Sequence, residues 1–468
     1  MEEKGSPLHF AMIGCPGVGH LTPILELAQR LLHHSTRLKV TVFIISSTSS
    51  NSNPQLQSTL LKIPSLTIHH LPPVNDVVDP SATFVAKLYA MMRDARAGFR
   101  DALVEMADQR PNVLVVDIFG LEYFDLANEF SMSKYVFVTS HAWFFCLSVY
   151  IPFLDKMVEG EYVDLDQTEL LSIPGCRSVR PEDVIEPMRD RSNQQYKEYL
   201  QTGCLYPTAD GYLINTWEDL EVDSLKALRD ETMLGRVIKG PVYAVGPVVA
   251  GTESGWGESE VFEWLDGQRN ESVLFVAFGS GGTLSARQMI ELAWGLELSE
   301  QRFIWVVRLP ATSDESTDVS HYLPDGFLNR TKELGLVVND WASQREILSH
   351  RSVGGFLTHC GWNSSLESIV NGVPMVAWPL YAEQRMNATM LVEEMKVAVR
   401  PATLPAEQVV VDREEVKMLI TKIMSIEGNE QRGRVKELKR SAEEAVRVGG
   451  SSWAALNKML EHSAMKSK

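Results

Sequence analysis

The chain has 468 residues, of which 44% are hydrophobic and 22% are charged, and its formal net charge is −17 at pH 7. These proportions are typical of a globular protein, and the length favours two domains over a single core. The strong negative charge argues against nucleic acids and anionic membrane surfaces as partners.

Short apolar strands alternate with amphipathic helices in the N-terminal part of the chain. Strands are predicted at Phe10–Ile13, Leu38–Ser46 and Leu66–Leu71. A helix follows the first strand, with Thr22 as its predicted N-cap and Pro23 in its first turn. Such alternation predicts a parallel sheet, so the fold class is α/β.

A glycine-rich turn, Gly14–His20, follows the first strand. Pro16 and the glycine spacing spoil a dinucleotide fingerprint, so an oxidoreductase is not expected. The turn instead brings His20 to the crevice above the sheet, where α/β proteins bind ligands. A buried strand, Val113–Val116, delivers Asp117 to the same edge. Its carboxylate can orient the imidazole as a general base, or it can merely cap the next helix.

Three aromatic residues follow these strand ends: Phe119, Trp143 and Phe144. Most large apolar side chains in such places belong to the core. Some are expected to line an acceptor pocket, because flat aromatic walls suit a phenolic or similarly planar molecule.

A second domain begins after a segment rich in Gly, Pro and Ser. The strand Gly211–Asn215 is predicted to be the last of the first domain, and residues 241–260 are predicted to be the linker. The second domain opens with the strand Ser272–Phe278 and a glycine-rich turn, Gly279–Thr283, suited to an anion. Ser285–Gln288 is a predicted capping box for the following helix.

A strand, turn and helix near residue 360 offer a phosphate site. The strand Ser352–Thr358 leads through His359 and a short turn into a helix that contains Asn363 and Ser364. The first amides of a helix have no intrahelical acceptor and favour an anion. The imidazole and the short polar side chains add further donors, so this turn is predicted to hold a pyrophosphate.

Residues on either side of this turn match the other parts of a nucleotide sugar. Glu367 lies on the same helix face as Asn363, where a carboxylate can accept from ribose hydroxyls. Trp341 has a flat face for a base, and Glu383 with Gln384 can bind the hydroxyls of a hexose. Each residue alone is more often structural than functional, by about two to one. Their order along one stretch favours a binding site.

The stretch from Trp341 to Gln384 resembles the donor-binding box of plant secondary-product UDP-glycosyltransferases. The resemblance spans the chain, and FGSGGTLS, RFIWVVR and WPLYAEQRMNA are most similar to the hydroquinone and monolignol glucosyltransferase group. It implies a GT-B fold, with two Rossmann-like domains whose parallel sheets face a central cleft. Residues 1–245 would bind the acceptor and residues 246–449 the UDP-sugar, while the last helix, residues 450–468, would pack back onto the first domain.

The resemblance also implies which residues contact the donor. Uracil would lie on Trp341, and ribose near Gln344 and Glu367. Diphosphate would lie on His359, Asn363 and Ser364. Hexose would lie beside Trp362, Glu383 and Gln384. In this family a glutamine at the last of these positions usually accompanies a glucose donor. The implied donor residues are Ser280, Trp341, Ala342, Gln344, His359, Trp362, Asn363, Ser364, Glu367, Glu383 and Gln384.

The same resemblance assigns His20 as the catalytic base and Asp117 as its partner. It implies an inverting transfer of glucose from UDP-glucose to a hydroxyl of a small phenolic acceptor, of the hydroquinone, phenylpropanoid or flavonoid type, giving a β-glucoside. The alternatives are a sugar-nucleotide epimerase and a non-catalytic UDP-sugar-binding protein. The latter is disfavoured because both His20 and Asp117 are retained.

Two positions depart from the family pattern beside the base-stacking indole. Ser343 and Asn339 stand where the family usually has proline. Losing a fixed φ on both sides should loosen the segment, and Ser343 regains a backbone N–H. A modestly weaker grip on the donor is therefore predicted.

No metal ion or resident cofactor is expected, and UDP-glucose is treated as a co-substrate. The acidic triplet Asp164–Asp166 is interpreted as surface, and the adjacent His359 and Cys360 lack a second ligand pair with zinc spacing. Five irregularly spaced cysteines and a polar N-terminus without a signal-peptide pattern favour the cytoplasm. We expect a monomer without membrane insertion.

Overall fold

The structure is a computed structural model, and it describes residues 8–46, 66–74, 82–177, 179–249, 260–309, 318–339, 342–403, 409–425 and 430–466. The chain forms two compact units. The first contains residues 1–250 together with 444–468, and the second contains residues 251–443.

The first unit is built on a parallel sheet that has seven strands among the described residues. The strand order is β3-β2-β1-β4-β5-β6-β7, and every neighbouring pair is parallel. The direction of winding reverses between β1 and β4, so the carboxyl ends of these two strands flank the crevice in which such sheets bind ligands. The strands are β1 (His9–Ile13), β2 (Lys39–Ile44), β3 (Thr67–His70), β4 (Val113–Val116), β5 (Ser133–Val138), β6 (Gly211–Ile214) and β7 (Val242–Ala244).

The second unit repeats this plan with a six-stranded parallel sheet in its described part. Its order is β10-β9-β8-β11-β12-β13, and it reverses between β8 and β11. The predicted α/β class with two Rossmann-like sheets is therefore confirmed. The strands are β8 (Val273–Ala277), β9 (Arg302–Val307), β10 (Gly335–Asn339), β11 (Val353–Thr358), β12 (Met375–Ala377) and β13 (Ala398–Val399).

Helices connect these strands. The α-helices of the described residues are α1 (Val18–His34), α2 (Phe84–Glu105), α3 (Phe124–Glu129), α4 (Ala142–Met157), α5 (Gln194–Leu205), α6 (Val222–Arg229), α7 (Gly235–Ile238), α8 (Glu260–Asp266), α9 (Ala286–Leu298), α10 (Phe327–Thr331), α11 (Gln344–Ser349), α12 (Trp362–Asn371), α13 (Gln384–Thr389), α14 (Arg413–Met424), α15 (Glu430–Val446) and α16 (Ser451–Lys466). A π-helix, Met390–Glu394, continues α13. The 3₁₀-helices are Ala107–Gln109, Leu121–Tyr123, Tyr162–Asp164, Pro181–Asp183, Glu186–Arg189, Tyr206–Thr208 and Val319–Tyr322.

Strand β4 shows why these segments form a covered sheet. Its sequence, VLVV, is apolar throughout and every residue is buried, as expected for a parallel strand with helices on both faces. Helix α1 buries a stripe that includes Ile24, Leu27 and Leu31 against the same core.

The predicted start of α1 is wrong. The carbonyl of Gly17 accepts the N–H groups of His20 and Leu21, both at 3.0 Å, so the helix begins at Val18 and Thr22 is not its N-cap. Pro23 lies inside the helix. His20 therefore belongs to the first turn of α1, where the helix axis fixes its position.

Two further predictions about connections need correction. Gly211–Asn215 does not hold the last strand of the first unit, because β7 follows it and pairs with β6. Strand β7 has three residues and lies within the predicted linker, residues 241–260. Residues 250–259 of that linker lie outside the described residues. The reciprocal capping box at Ser285 is also not formed: its side chain accepts from the Gln288 N–H at 3.2 Å, but the Gln288 amide bonds the backbone of Val411.

The last helix, α16, packs on the first unit. Ala455, Leu456 and Met459 join the apolar core beneath β1. The Ser452 hydroxyl donates to the carbonyl of Gly246, which ties the start of the helix to the segment after β7. Among the described residues, no helix combines the length and apolarity that a membrane crossing demands.

Candidate active site

The reversal of strand order in the first unit brings His20 and Asp117 together. His20 lies in the first turn after β1, and Asp117 directly follows β4, the neighbouring strand. Nδ1 of the imidazole lies 3.0 Å from Oδ2 of the carboxylate. Because the carboxylate accepts, Nδ1 carries the ring proton and Nε2 is left to accept another one.

Backbone amides hold the Asp117 carboxylate in place. Oδ2 accepts the N–H of Cys15 at 2.9 Å, and Oδ1 accepts the N–H of Phe119 at 3.0 Å. The carboxylate is fully buried, so these bonds compensate for its lost hydration. Asp117 thus shapes the turn after β4 and also contacts the imidazole, so the two sequence-based interpretations coexist.

Gly14 allows the chain to pass close to this carboxylate. A Cβ at this position would lie 2.1 Å from the Ile24 side chain and 3.3 Å from Oδ2 of Asp117. Any side chain here would push β1 away from α1. The glycine is therefore required by a close approach rather than by a phosphate.

The imidazole of His20 is surrounded by aromatic and polar groups. Phe119 meets it edge to face with ring centroids 5.0 Å apart, and Tyr89 packs on Phe119 at 4.8 Å. The hydroxyl of Thr139 lies 3.2 Å from Nδ1. The His20 side chain keeps 23% of its surface exposed, so a substrate can reach it. Thr139 was not singled out from the sequence, although it follows β5 at the same sheet edge.

Of the three predicted acceptor residues, Phe119 contacts His20 directly. Trp143 and Phe144 are buried in the first turn of α4, and the Phe144 ring lies 6.4 Å from that of Tyr199. Sequence analysis also missed Glu221, whose carboxylate accepts the N–H groups of Ala142 and Trp143 at 2.9 and 3.0 Å. Burial raises the pKa of Glu221, although the hydrogen bonds that its carboxylate accepts act to lower it.

The reversal in the second unit brings two predicted donor turns together. The turn after β8 contains Gly279, and the turn after β11 contains His359. Gly279 has φ +72°, and a Cβ there would lie 2.5 Å from the His359 ring. A Cβ on Gly361 would lie 2.6 Å from Nε2 of the same ring. Only glycines fit on both sides of this imidazole.

His359 is buried with an unpaired nitrogen. Its exposed fraction is 7%, and Nδ1 has no hydrogen-bond partner within the described ranges. Burial lowers the pKa of His359 from 6.5 to about 4, so the ring is neutral at pH 7. A buried polar atom without a partner is costly, and the diphosphate of a nucleotide would offer one.

The predicted ribose contacts form a hydrogen-bonded set. The Gln344 amide donates to the Ser364 hydroxyl at 2.8 Å and to Oε2 of Glu367 at 2.7 Å. Burial raises the pKa of Glu367, and the bond from Gln344 opposes this shift. The set links α11 to the first turns of α12.

The side-chain oxygens of Glu383 and Gln384, the two predicted hexose contacts, have different partners in the structure. Oε1 of Gln384 accepts the N–H groups of Leu380 and Tyr381 at 2.8 and 3.0 Å, so this oxygen holds the turn before α13. Oε1 of Glu383 lies 3.2 Å from the Asn387 amide, which also donates to the Cys360 carbonyl. The carboxylate of Glu383 is therefore the better hydroxyl acceptor of the two.

The remaining predicted donor residues surround the same turns. Ser280 is exposed after β8, and its carbonyl accepts from the Arg308 guanidinium. Trp362 is buried as the first residue of α12, while Asn363 and Ala342 are half-buried. Trp341 lies outside the described residues.

Comparisons with known proteins agree with this geometry. The sequence model of the family "UDP-glucoronosyl and UDP-glucosyl transferase" matches residues 253–417. The chain is 50% identical over 464 residues to anthocyanidin 3-O-glucosyltransferase 5 of Manihot esculenta, covering 96% of this chain and 94% of that relative. It is 43% identical over 464 residues to the hydroquinone glucosyltransferase of Rauvolfia serpentina, covering 96% of each.

A solved structure matches in three dimensions. The crystal structure of TcCGT1 in complex with UDP superimposes with a TM-score of 0.91 at 44% sequence identity, covering 98% of this chain and 100% of that chain. This likeness confirms the predicted GT-B class.

Proposed function

Because the chain belongs to the UDP-glucosyl transferase family, we propose that it transfers glucose from UDP-glucose to a hydroxyl of a small phenolic acceptor, with inversion to a β-glucoside. The first unit binds the acceptor and the second binds the UDP-sugar. The observation that carries the proposal is the 3.0 Å contact between His20 and the buried carboxylate of Asp117.

His20 acts as the general base in this scheme. A phenol has a pKa of about 10, so few molecules are ionised at neutral pH. Nε2 removes the hydroxyl proton while the oxygen attacks the anomeric carbon, and Asp117 stabilises the imidazolium that forms. Such assistance is typically worth about 100- to 10,000-fold in rate.

The second unit stabilises the departing UDP. The amides at the start of α12, the neutral imidazole of His359 and the turn at Ser280 supply donors for the diphosphate. Gln344 and Glu367 bind the ribose, and Trp341 stacks on the uracil. Trp362, Glu383 and Gln384 contact the hexose. With these donors in place, we expect the transfer to proceed without a metal ion.

Two features support a phenolic acceptor. Phe119 packs against the imidazole of the proposed base, and Tyr89 packs on Phe119, so the base lies beside an aromatic surface. The relatives named above act, by their names, on anthocyanidin and hydroquinone. The epimerase and the non-catalytic sensor receive no support from these relatives. We also propose a monomer in the cytoplasm, where cysteine thiols remain reduced.

An acceptor panel tests the proposal. Purified protein is incubated with UDP-glucose and hydroquinone, a lignin alcohol, a flavonoid or an aniline, and products are identified by mass and by anomeric configuration. A β-glucoside on at least one phenol is expected. UDP release without any glucoside would show hydrolysis instead and would refute the acceptor half of the proposal.

A further inference from the structure

Three possible metal ligands meet at the edge of the first sheet. The thiol sulfur of Cys15, a ring nitrogen of His20 and a carboxylate oxygen of Asp117 all lie within 4.8 Å of one another. The thiol and the carboxylate are buried, whereas the imidazole is partly exposed. The Cys15 side chain has no part in the transfer proposed above.

Sulfur, imidazole nitrogen and carboxylate oxygen together form a ligand set suited to Zn²⁺ and Cd²⁺. We propose that Cys15, His20 and Asp117 form an inhibitory binding site for such a thiophilic divalent cation. Solvent water would complete a four-coordinate site.

The required movement is small. Metal–ligand bonds of about 2.0–2.3 Å place tetrahedral ligand atoms roughly 3.3–3.7 Å apart. Nδ1 of His20 and Oδ2 of Asp117 are already 3.0 Å apart. The sulfur lies within 4.8 Å of both atoms, so an approach of about 1 Å or less would complete the set.

The cation takes the place of two protons. A cysteine sulfur binds a metal as the thiolate, so the Cys15 thiol must give up its proton. Binding releases this proton to solvent as the sulfur becomes a thiolate ligand. The proton on Nδ1 of His20 moves to Nε2 through solvent, so one proton is released in total.

This change of tautomer explains why binding inhibits. A metal on Nδ1 leaves Nε2 protonated, and this nitrogen can no longer accept a proton from the acceptor hydroxyl. Donor binding is unaffected, because the proposed UDP contacts belong to the second unit. The inhibition rests on the proposed function, but metal binding itself does not.

The test combines a binding readout with an activity readout. Cd²⁺ is titrated into the full-length protein while the ultraviolet thiolate-to-metal charge-transfer band is recorded, and Zn²⁺ is titrated into the transferase assay. We expect one Cd²⁺ per chain at this site and loss of activity with Zn²⁺. Cys15→Ser should lose the band, and the Zn²⁺ concentration that halves its activity, relative to that variant's own metal-free rate, should rise by about tenfold or more, at least the scale known for outer-shell partners of metal sites.

Cys204→Ser is the matched control, because Cys204 is an exposed free cysteine. It should keep the wild-type inhibition and the band assigned to Cys15. If Cys15→Ser folds poorly, Cys15→Ala provides the same comparison.

Equal Zn²⁺ inhibition of the wild type and the Cys15 variants would overturn the proposal. Absence of the Cys15-dependent Cd²⁺ band would also overturn it, even if the protein glucosylated none of the acceptors. Lack of transferase activity alone would instead count against the proposed function.

Discussion

Oδ2 of Asp117 lies 3.0 Å from Nδ1 of His20, and the Asp117 side chain is fully buried. The same oxygen accepts the N–H of Cys15, and the second oxygen accepts that of Phe119. The carboxylate is thus fixed by the backbone of two neighbouring strand ends. The orientation of the imidazole follows from the strand order of the sheet.

Asp117→Asn should reduce both activity and stability. The amide group would face the N–H of either Cys15 or Phe119, leaving a buried donor unpaired at a cost of about 1–3 kcal/mol. Loss of the negative charge would also remove the support for the imidazolium, so kcat should fall about 100-fold or more. Assay of kcat with hydroquinone and urea denaturation measure the two effects. Asp164→Asn, at an exposed acid, should change neither.

Gly279→Ala should weaken UDP binding. The added methyl group would lie 2.5 Å from the His359 ring, and φ is +72° at this position. Both the clash and the backbone strain displace the imidazole from the turn. Calorimetric titration with UDP should show a several-fold weaker complex. The matched control is Gly433→Ala at an exposed position of α15, where no described atom outside the adjoining turns of that helix lies within 4 Å of the new methyl group. Unchanged UDP affinity of Gly279→Ala would contradict the proposed role of this turn.

His359 should make the stability of the protein depend on pH. Its pKa is lowered from 6.5 to about 4 in the folded chain, so between these values the unfolded state binds more protons. The contribution is fully present above pH 6.5 and is lost as pH falls towards about 4, by up to roughly 3 kcal/mol. The free energy of unfolding of wild type and His359→Gln, measured without UDP across this range, should converge at low pH. Parallel curves would refute the prediction.

Ser343→Pro should tighten donor binding modestly. Ser343 has φ −70°, which proline adopts without strain, and its N–H donates to no other described residue. Fixing this residue before α11 should stabilise the fold by about 0.4–1 kcal/mol and restrict the segment that carries Gln344. UDP-glucose affinity and the unfolding midpoint are the measurements. Ser343→Ala removes the hydroxyl without fixing φ and should change neither the donor affinity nor the unfolding midpoint. A donor affinity of Ser343→Pro equal to that of the wild type would contradict the hypothesis that Ser343 weakens donor binding.

Local patterns were sufficient to predict a parallel sheet in the first unit and the glycine-rich turns, whereas the plan of two such sheets followed from the family resemblance. The apolar run of β4 and the acid that follows it identified the position of Asp117, because a parallel sheet delivers such residues to one edge. The predicted start of α1 is wrong because Thr22 and Pro23 have the residue types of a helix N-terminus when only the local sequence is considered. The Gly17 carbonyl begins the helix earlier in the folded chain.

Three features of the structure could not be predicted in this way. Glu221 accepts from the first amides of α4, which are remote in sequence and carry no matching signal. The oxygen of Gln384 is used by its own turn, a detail that depends on the backbone path before α13. Strand β7 has only three residues, too few for a periodic pattern.

The central claim is that His20 removes the acceptor proton. Its most direct test is the rate of His20→Ala with two phenols, one weakly acidic and one acidic enough to be ionised at the assay pH. UDP affinity of the variant is measured in parallel and should equal that of the wild type.

We predict that His20→Ala loses about 100- to 10,000-fold in rate with the weakly acidic phenol, and much less with the ionised one, which needs no base. Full activity with the weakly acidic phenol, or an equal loss with both phenols, would contradict the assignment of His20 as the base.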